Sequence, residues 1–391
     1  MNCQSWIVSD LIGARIQVYI IFRFPAGNAS APQIVEHEAE LVDHKLRVGI
    51  VGVGGIACTH LPGWEASAHA EVVAGCDIDA SVINAWGKRH GIAKVTSDPD
   101  ALFSDSKVDL IDICTPNVSH ADLAIAALKA GKHVLCEKPL APTPEAIRKI
   151  MDVEERSAGQ LMTAQHYRFE GTSKALKTEI ETGVLGDIYH ARSWLLRRAS
   201  MITRPGFTQK ELSGGGACID IGVHVLDLTL WFMGFPKATC VTGVARSELS
   251  KQEGAFLNNK VVIPPEMDVE EFAAAFVRFE NGATLILEVS WLLHHDVPGE
   301  DPQIWLYGSR GGCRWPRCEM YESNTAARQH YNRSLKLTNE KLEAHALECV
   351  EFAQAIVDGV PSPVPASQSL QVLTILDGVY RSQASGHEVK I

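Results

Sequence analysis

The chain has 391 residues, 46% hydrophobic and 21% charged, which suits a globular protein with room for two cored domains. Its 36 basic and 47 acidic residues give a net charge of −11, and no lysine- or arginine-rich run offsets it; this argues against nucleic-acid or anionic-membrane binding. Ten cysteines are scattered without a CxxC pair or a CxxC…HxxxH spacing, which argues against a disulfide framework and structural zinc and fits a reducing, cytoplasmic compartment.

Residues 1–44 stand apart. Trp6 to Phe24 is apolar in patches but carries Asp10, Arg15 and Arg23, which a membrane span or signal core avoids. Ala29-Ser30-Ala31 looks faintly like a cleavage site, but no basic n-region precedes it. The stretch reads as a flexible extension or, preferably, as the product of a start assigned upstream of the natural one, because a domain pattern begins abruptly at Lys45.

Leu46 to Val51 is a short β-branched run leading into Gly52-Val53-Gly54-Gly55-Ile56-Ala57, a G-x-G-x-x-A dinucleotide fingerprint. Gly52 permits the tight turn, Gly54 lets backbone approach a pyrophosphate, and Ala57 lets the next helix pack on the strand. A second strand, Glu71 to Cys76, ends at Asp77, 20 residues beyond Ala57, where a carboxylate accepts ribose hydroxyls and repels a 2′-phosphate. NAD is therefore expected over NADP. Asp77 also suits the N-cap of a helix from Ser81 to Lys88.

A third strand, Val108 to Cys114, breaks at Thr115-Pro116-Asn117, and the following helix closes at Gly131. His133 to Glu137 is a buried strand stopped by Pro139, which puts Lys138 at a strand's carboxyl end, the edge where open α/β sheets bind ligands. Thr143 caps a helix with Pro144 in its first turn, and Leu161 to Gln165 adds a last strand. Alternating strands and helices over residues 45–165 imply a doubly wound parallel sheet, an NAD-binding Rossmann domain.

From residue 166 the rhythm changes to α+β, with strands expected over 187–196, 238–248, 270–279, 283–290 and 303–308, and helices over 173–182, 342–358 and 368–382. Glu280-Asn281-Gly282 reads as a hairpin turn and Ser250 to Glu266 as a loop. An open, mostly antiparallel sheet wants a cover on one face, so a homodimer or homotetramer through it is expected, with the C-terminal helices packing back on the Rossmann domain.

Gly214 to Gly234 reads as one apolar helix whose polar exceptions, Asp220, His224 and Asp227, are spaced i, i+4, i+7 on one face. Buried without partners they would cost several kcal/mol. A packed carboxylate–imidazole pair, a metal site short of a fourth ligand, and acid–base chemistry all fit. Arg197, Arg198 and Arg204 lie in a polar loop suited to substrate hydroxyls, an acidic group, solvent or another subunit. Trp291 follows a strand and suits either a sugar face or a core.

Together Gly52–Ala57, Thr115-Pro116-Asn117-Val118-Ser119-His120, Gly131 to Pro139 and the Asp220…His224…Asp227 helix resemble the Gfo/Idh/MocA oxidoreductases, glucose–fructose oxidoreductase, inositol dehydrogenase and relatives, from about Leu46 to the C-terminus. The resemblance implies NAD(P)-dependent hydride transfer between nicotinamide C4 and a secondary hydroxyl of a sugar, polyol or inositol. It implies Lys138, Asp220 and His224 as catalytic and substrate-binding residues. It implies Thr115, Pro116, Asn117, His120, Glu137 and Lys138 at the cofactor, together with Gly52, Val53, Gly54, Gly55, Ile56, Ala57 and Asp77. Arg168, in His166-Tyr167-Arg168-Phe169, would reach substrate, and no metal is implied. NAD-dependent glycoside hydrolysis and non-catalytic NAD sensing are the alternatives. Residues 1–44 and the loop 250–266 depart from the family pattern.

Overall fold

A six-stranded, wholly parallel sheet carries the first half, in the spatial order Lys94–Thr96, Ala70–Cys76, Leu46–Val51, Leu110–Ile113, His133–Glu137, Leu161–Ala164. Its central strands are buried along their length, as in a sheet covered on both faces: all four residues of Leu110–Ile113 are buried, Asp112 among them, as are four of the five in His133–Glu137, with Glu137 at the end. The chain reverses direction across the sheet at Leu46–Val51 and Leu110–Ile113, and a crevice opens at the carboxyl ends of those two strands. The structure, a computed structural model, describes residues 4–12, 15–23, 33–40, 45–296, 299–337 and 342–391.

Local signals are realised as read. Thr143 Oγ1 accepts the Ala146 N–H at 3.2 Å with Pro144 beginning the helix, and Gly131 sits at φ +76° just past the end of Asn117–Lys129. One expectation is corrected. The helix Ala80–His90 is capped by Asp79, whose Oδ1 accepts the Ser81 and Val82 N–H groups, and not by Asp77.

The second half holds a nine-stranded sheet ordered Gln329–Ser334, Glu319–Asn324, Gly311–Trp315, Glu300–Gly308, Ile188–Arg197, Thr284–Ser290, Phe272–Phe279, Ala238–Arg246, Val389–Lys390. Every neighbouring pair is antiparallel except Ile188–Arg197 with Thr284–Ser290. The turn at Glu280-Asn281-Gly282 forms with Gly282 at φ +85° and Asn281 Oδ1 accepting the Ala283 N–H at 3.1 Å. Helix Gly222–Met233 and helix Ala366–Ser385 both bury apolar faces in the core shared with this sheet.

Leu46–Ile391 form one compact unit. Helix Ala344–Val357 lies tight against Ala57–Ala66: a Cβ on Gly63 would come within 2.2 Å of the Ala346 carbonyl. In a unit of their own, Gln4–Ile12, Arg15–Arg23 and Gln33–Glu40 make an antiparallel meander, where an extension was expected. Ala29-Ser30-Ala31 lies outside the described residues.

Candidate active site

The glycine loop leaves the strand Leu46–Val51 at Gly52, whose φ of +86° a β-carbon would not tolerate, since that atom would also lie 2.8 Å from the Cys114 carbonyl oxygen. Gly54 and Gly55 answer to nothing in the chain: a β-carbon on either would meet no atom within 4 Å. Their smallness instead opens the space in front of helix Ala57–Ala66, where the positive end of the helix dipole suits a pyrophosphate. Asp77 closes the loop from the neighbouring strand. Its Oδ2 accepts the Val53 N–H at 3.1 Å and its Oδ1 the Asp79 N–H at 3.0 Å. These residues fit a dinucleotide.

From this loop a cavity of about 470 Å³ runs toward the second sheet. Gly55, Ile56, Thr115, Asn117, Glu137 and Lys138 line its Rossmann side, and His166, Tyr167, Arg197, Arg204, Phe207, Asp220, His224, Glu300 and His345 its far side. A larger hollow, about 660 Å³ along residues 249–263, touches none of Lys138, Asp220 and His224. The smaller one gathers all three.

At its centre Lys138 Nζ donates to Asp220 Oδ1 and to the Asp220 carbonyl, both at 2.9 Å. Asp220 Oδ2 accepts the Trp291 indole N–H at 3.2 Å. Trp291 is fully buried, so it orients Asp220 instead of offering a sugar-stacking face. The sequence places Asp220 here through its glycines. Gly216 approaches the Glu270 carbonyl so closely that a β-carbon would overlap it at 1.9 Å, and Glu270 Oε1 caps the short helix Ala217–Asp220 by accepting the Gly216 and Cys218 N–H groups at 2.9 Å each.

The expected single helix is broken. Ile221 separates Ala217–Asp220 from Gly222–Met233, with a bend of 48° between the segment ending at Asp220 and the one starting at Gly222. Asp220 and His224 border the cavity, whereas Asp227 faces away. Its carboxylate takes Arg168 Nε at 2.7 Å and Nη2 at 2.6 Å, both side chains being almost fully buried. Burial lifts the Asp227 carboxyl above its usual range, and Arg168 offsets this only in part. Arg168, expected at the substrate, spends its fork on this pair and on Gln368, and does not line the cavity.

His224 is buried and its Nδ1 has no hydrogen-bond partner. Burial first, then the charges of Lys138, His166, His345 and Arg197, hold its pKa well below the usual histidine value, so the ring is a neutral base. Thr115 and Asn117 reach the cavity, and Asn117 Nδ2 also bonds the Ser213 carbonyl at 2.9 Å, tying the two halves together. His120, expected at the nicotinamide, is fully buried behind it, its ring nitrogens 2.8 Å from the Pro139 and Thr115 carbonyls. Arg197 lies at the cavity paired with Glu300, which also accepts the Tyr167 hydroxyl at 3.2 Å. Arg204 is exposed at its rim, and Arg198 belongs to the larger hollow.

Comparison with known proteins agrees with this geometry. Residues 46–165 match the oxidoreductase family with an NAD-binding Rossmann fold, and residues 173–314 match the GFO/IDH/MocA C-terminal domain. D-glucoside 3-dehydrogenase of Escherichia coli (strain K12) is 34% identical over 66% of this chain and 73% of its own. The chain belongs to the Gfo/Idh/MocA oxidoreductase family. Myo-inositol 2-dehydrogenase of Thermotoga maritima is 27% identical over 68% of this chain and 74% of its own. The structure of a levoglucosan dehydrogenase with NADH and L-sorbose superposes with a TM-score of 0.78 at 25% identity, covering 89% of this chain and 99% of that one. This Gfo/Idh/MocA protein is thus an NAD-binding oxidoreductase among dehydrogenases of sugars, polyols and inositols, which supports oxidation and reduction over the hydrolytic and sensing alternatives.

Behind the cavity the oxidoreductase buries a cluster that no sequence motif announced. His60, from the first Rossmann helix, has Nδ1 3.1 Å from both Asp112 oxygens and Nε2 3.0 Å from Glu137 Oε1 and 3.6 Å from Glu348 Oε1. Trp64 Nε1 donates to Asp112 Oδ2 at 2.8 Å. The ligand atoms of His60, Asp112 and Cys114, and those of His60, Glu137 and Glu348, lie within 4.8 Å of one another and are the groupings with donors suited to a metal among the described residues. His166 stacks on His345 with centroids 3.7 Å apart and meets His224 edge-on at 4.7 Å. His166 and Tyr167 were visible in sequence as neighbours of Arg168. His345 and Glu348 come from the distant helix Ala344–Val357, and only its packing on Ala57–Ala66 brings them in.

Proposed function

We propose that this chain oxidises a ring secondary hydroxyl of a D-glucoside or a similar polyhydroxylated substrate, with Lys138, Asp220 and His224 as catalytic residues. The observation that carries the reading is the Lys138–Asp220 pair beside a neutral, buried His224, at the edge of a cavity that begins at the glycine loop. Gly52–Ala57, Asp77, Thr115, Asn117 and Glu137 would hold NAD, which when bound supplies the hydride acceptor at its nicotinamide C4.

His224 takes the hydroxyl proton as general base in oxidation and returns it in reduction. Lys138 sets a positive charge where alkoxide character develops, and the same charge disfavours an imidazolium at His224. Asp220 keeps acceptor capacity for a substrate hydroxyl beyond its bonds to Lys138 and Trp291. Tyr167, Arg197 and Glu300 present donors and acceptors to the remaining hydroxyls. Asp77 favours NAD over NADP, because a 2′-phosphate would meet its carboxylate and the adjacent residues are Ile78 and Asp79. The relatives are dehydrogenases of a D-glucoside, myo-inositol and levoglucosan, which share a ring secondary alcohol.

We further propose a cytoplasmic homo-oligomer built on the second sheet, where Val244, Phe276 and Ile286 share one face and Val244 and Ile286 are exposed. The test of the activity is purified protein with methyl D-glucopyranosides, levoglucosan and myo-inositol, each with NAD and with NADP, followed by reduced-nucleotide absorbance. NADH formation from a pyranoside is expected. Protein that binds NADH yet reduces neither nucleotide with any of these substrates sinks the proposal.

A further inference from the structure

Of the buried cluster around His60, only Glu137 reaches the cavity described above, and it does so at the strand end that carries Lys138. The cluster's charges do not balance as they stand. Three carboxylates, Asp112, Glu137 and Glu348, surround one imidazole, all at most 8% exposed at the side chain. A ring meeting carboxylate oxygens at both nitrogens donates to both only as imidazolium, and a neutral ring would turn a lone pair toward one of them. Burial is the largest influence and works against that charge, but Asp112, Cys114 and Cys349 together outweigh it and lift His60 well above the usual histidine value. Asp112 offsets His60⁺, and Glu137 and Asp220 more than offset the nearby Lys138⁺. A further charge at Glu348 would stand uncompensated, since its buried oxygens find no side-chain hydrogen bond and lie no nearer to His60 Nε2 than 3.6 Å. Burial, with the charges of Glu137 and Asp112, pushes the Glu348 carboxyl well up, so it is a neutral acid.

A divalent ion would answer the same charge count, but the spacing favours protons. Two ligands about 2.1 Å from a tetrahedral ion lie about 3.4 Å apart, whereas His60 Nε2 and Glu137 Oε1 are at hydrogen-bond distance, 3.0 Å. Glu137 carries the cluster's hydrogen bonds to the strand end. Glu137 Oε2 accepts the Lys138 backbone N–H at 3.0 Å, and Lys138 then reaches Asp220.

We propose that His60 and Glu348 are positioning residues that fix Glu137 and, through it, Lys138 against Asp220. Helix Ala344–Val357 thereby completes the site from beneath. The rate consequence rests on the function proposed above, but the structural consequence does not.

The test compares wild type with Glu348→Leu, Glu348→Gln and His60→Gln, each as full chain with NADH bound. Glu348→Leu keeps the buried volume and removes both oxygens, and replacing a buried polar group by an apolar one of similar size is commonly tolerated by the fold. In its crystal structure the Lys138 to Asp220 contact should open past about 3.5 Å. With methyl β-D-glucopyranoside, kcat should fall 10- to 100-fold, the scale of a ~1 Å misplacement, while KM for NAD stays within about twofold. Glu348→Gln, neutral and of the same shape, should restore most of the rate and the contact. Lys138 and Glu137 unmoved in both Glu348→Leu and His60→Gln would overturn the proposal whether or not any sugar is turned over. So would one tightly bound divalent ion per wild-type chain by elemental analysis, or Glu348→Gln as impaired as Glu348→Leu.

Discussion

The Lys138 ammonium holds both the carboxylate and the backbone carbonyl of Asp220, 82 residues further along the chain, at 2.9 Å each. One side chain ends a Rossmann strand and the other ends a short helix over the second sheet, so the pair closes the seam between the two sheets at the cavity. Lys138→Met should lower kcat by about 10²- to 10³-fold, as expected for loss of a group aimed at developing charge. KM for NAD should change far less, and steady-state kinetics with both substrates varied will separate the two.

Removing the base is the sharper test of chemistry. His224→Ala should cost about 10²- to 10⁴-fold in kcat while NADH still binds, read by the quenching of protein fluorescence. Near-full turnover in this variant would remove His224 from the mechanism.

The pH dependence follows from the depressed His224 value. Oxidation needs the neutral ring, so activity should persist as pH falls through about 6.5, the ordinary histidine pKa, and fail only below it. Lys138→Met removes one of the charges that depress the value, so its acid limb should move to higher pH. The same shift bears on stability with a definite sign. Below about pH 6.5 the unfolded chain binds a proton that folded His224 does not, so stability falls as pH falls, and His224→Gln should flatten that part of a melting-temperature profile.

Asp77 and Asp79 separate cofactor choice from helix capping. Asp79→Ala should lower the melting temperature by removing the helix cap and leave the NAD to NADP preference intact. Asp77→Ser should raise KM for NAD by about 10-fold or more, the loss of one charge-assisted hydrogen bond, and narrow the preference. Thermal melts and paired kinetics on both variants will show whether the roles divide this way.

Arg168 and Asp227 should behave as structure. Arg168→Leu strands a buried carboxylate and should cost about 3–5 kcal/mol, with the double change Arg168→Leu/Asp227→Leu recovering most of it. Denaturant unfolding of the two single variants and the double variant measures the coupling. A large rise in substrate KM in stable Arg168→Leu protein would return Arg168 to the substrate.

Much of the fold was legible because local rules and tertiary packing agreed. The Rossmann strands are apolar runs that end in turn residues, and Gly52, Gly131, Thr143 and Gly282 sit where backbone geometry requires them. The misreadings share one physical origin. Asp220, His224 and Asp227 have helical spacing, but the chain breaks at Ile221 and still brings Asp220 and His224 to one cavity, whereas Asp227, on the same helix as His224, turns to the buried Arg168; periodicity registers neither the 48° bend nor that partner. Arg168 was placed by its sequence neighbours, whereas a buried guanidinium goes where a carboxylate compensates it. Asp79 outcompetes Asp77 as a cap because Asp77 already accepts the Val53 N–H. The strands Gly311–Trp315, Glu319–Asn324 and Gln329–Ser334 went unread because the last of them is exposed along its whole length and carries no alternating pattern.

The break at Ile221 also divides the labour of change. Asp220 is fastened through Lys138, Trp291 and the Glu270 cap of its short helix, while His224 rides on the next helix, buried in the core. Arg197, Arg204 and Glu300, which face the open side of the cavity, lie at strand ends and in loops outside that framework. Substitutions at Arg204 and Glu300 can alter which ring hydroxyls are recognised without touching Lys138, Asp220 or His224, whereas the charge of Arg197 also helps to keep His224 neutral. The fold therefore offers a practical route to redirecting this oxidoreductase toward new carbohydrates: vary the rim and leave the two helices alone.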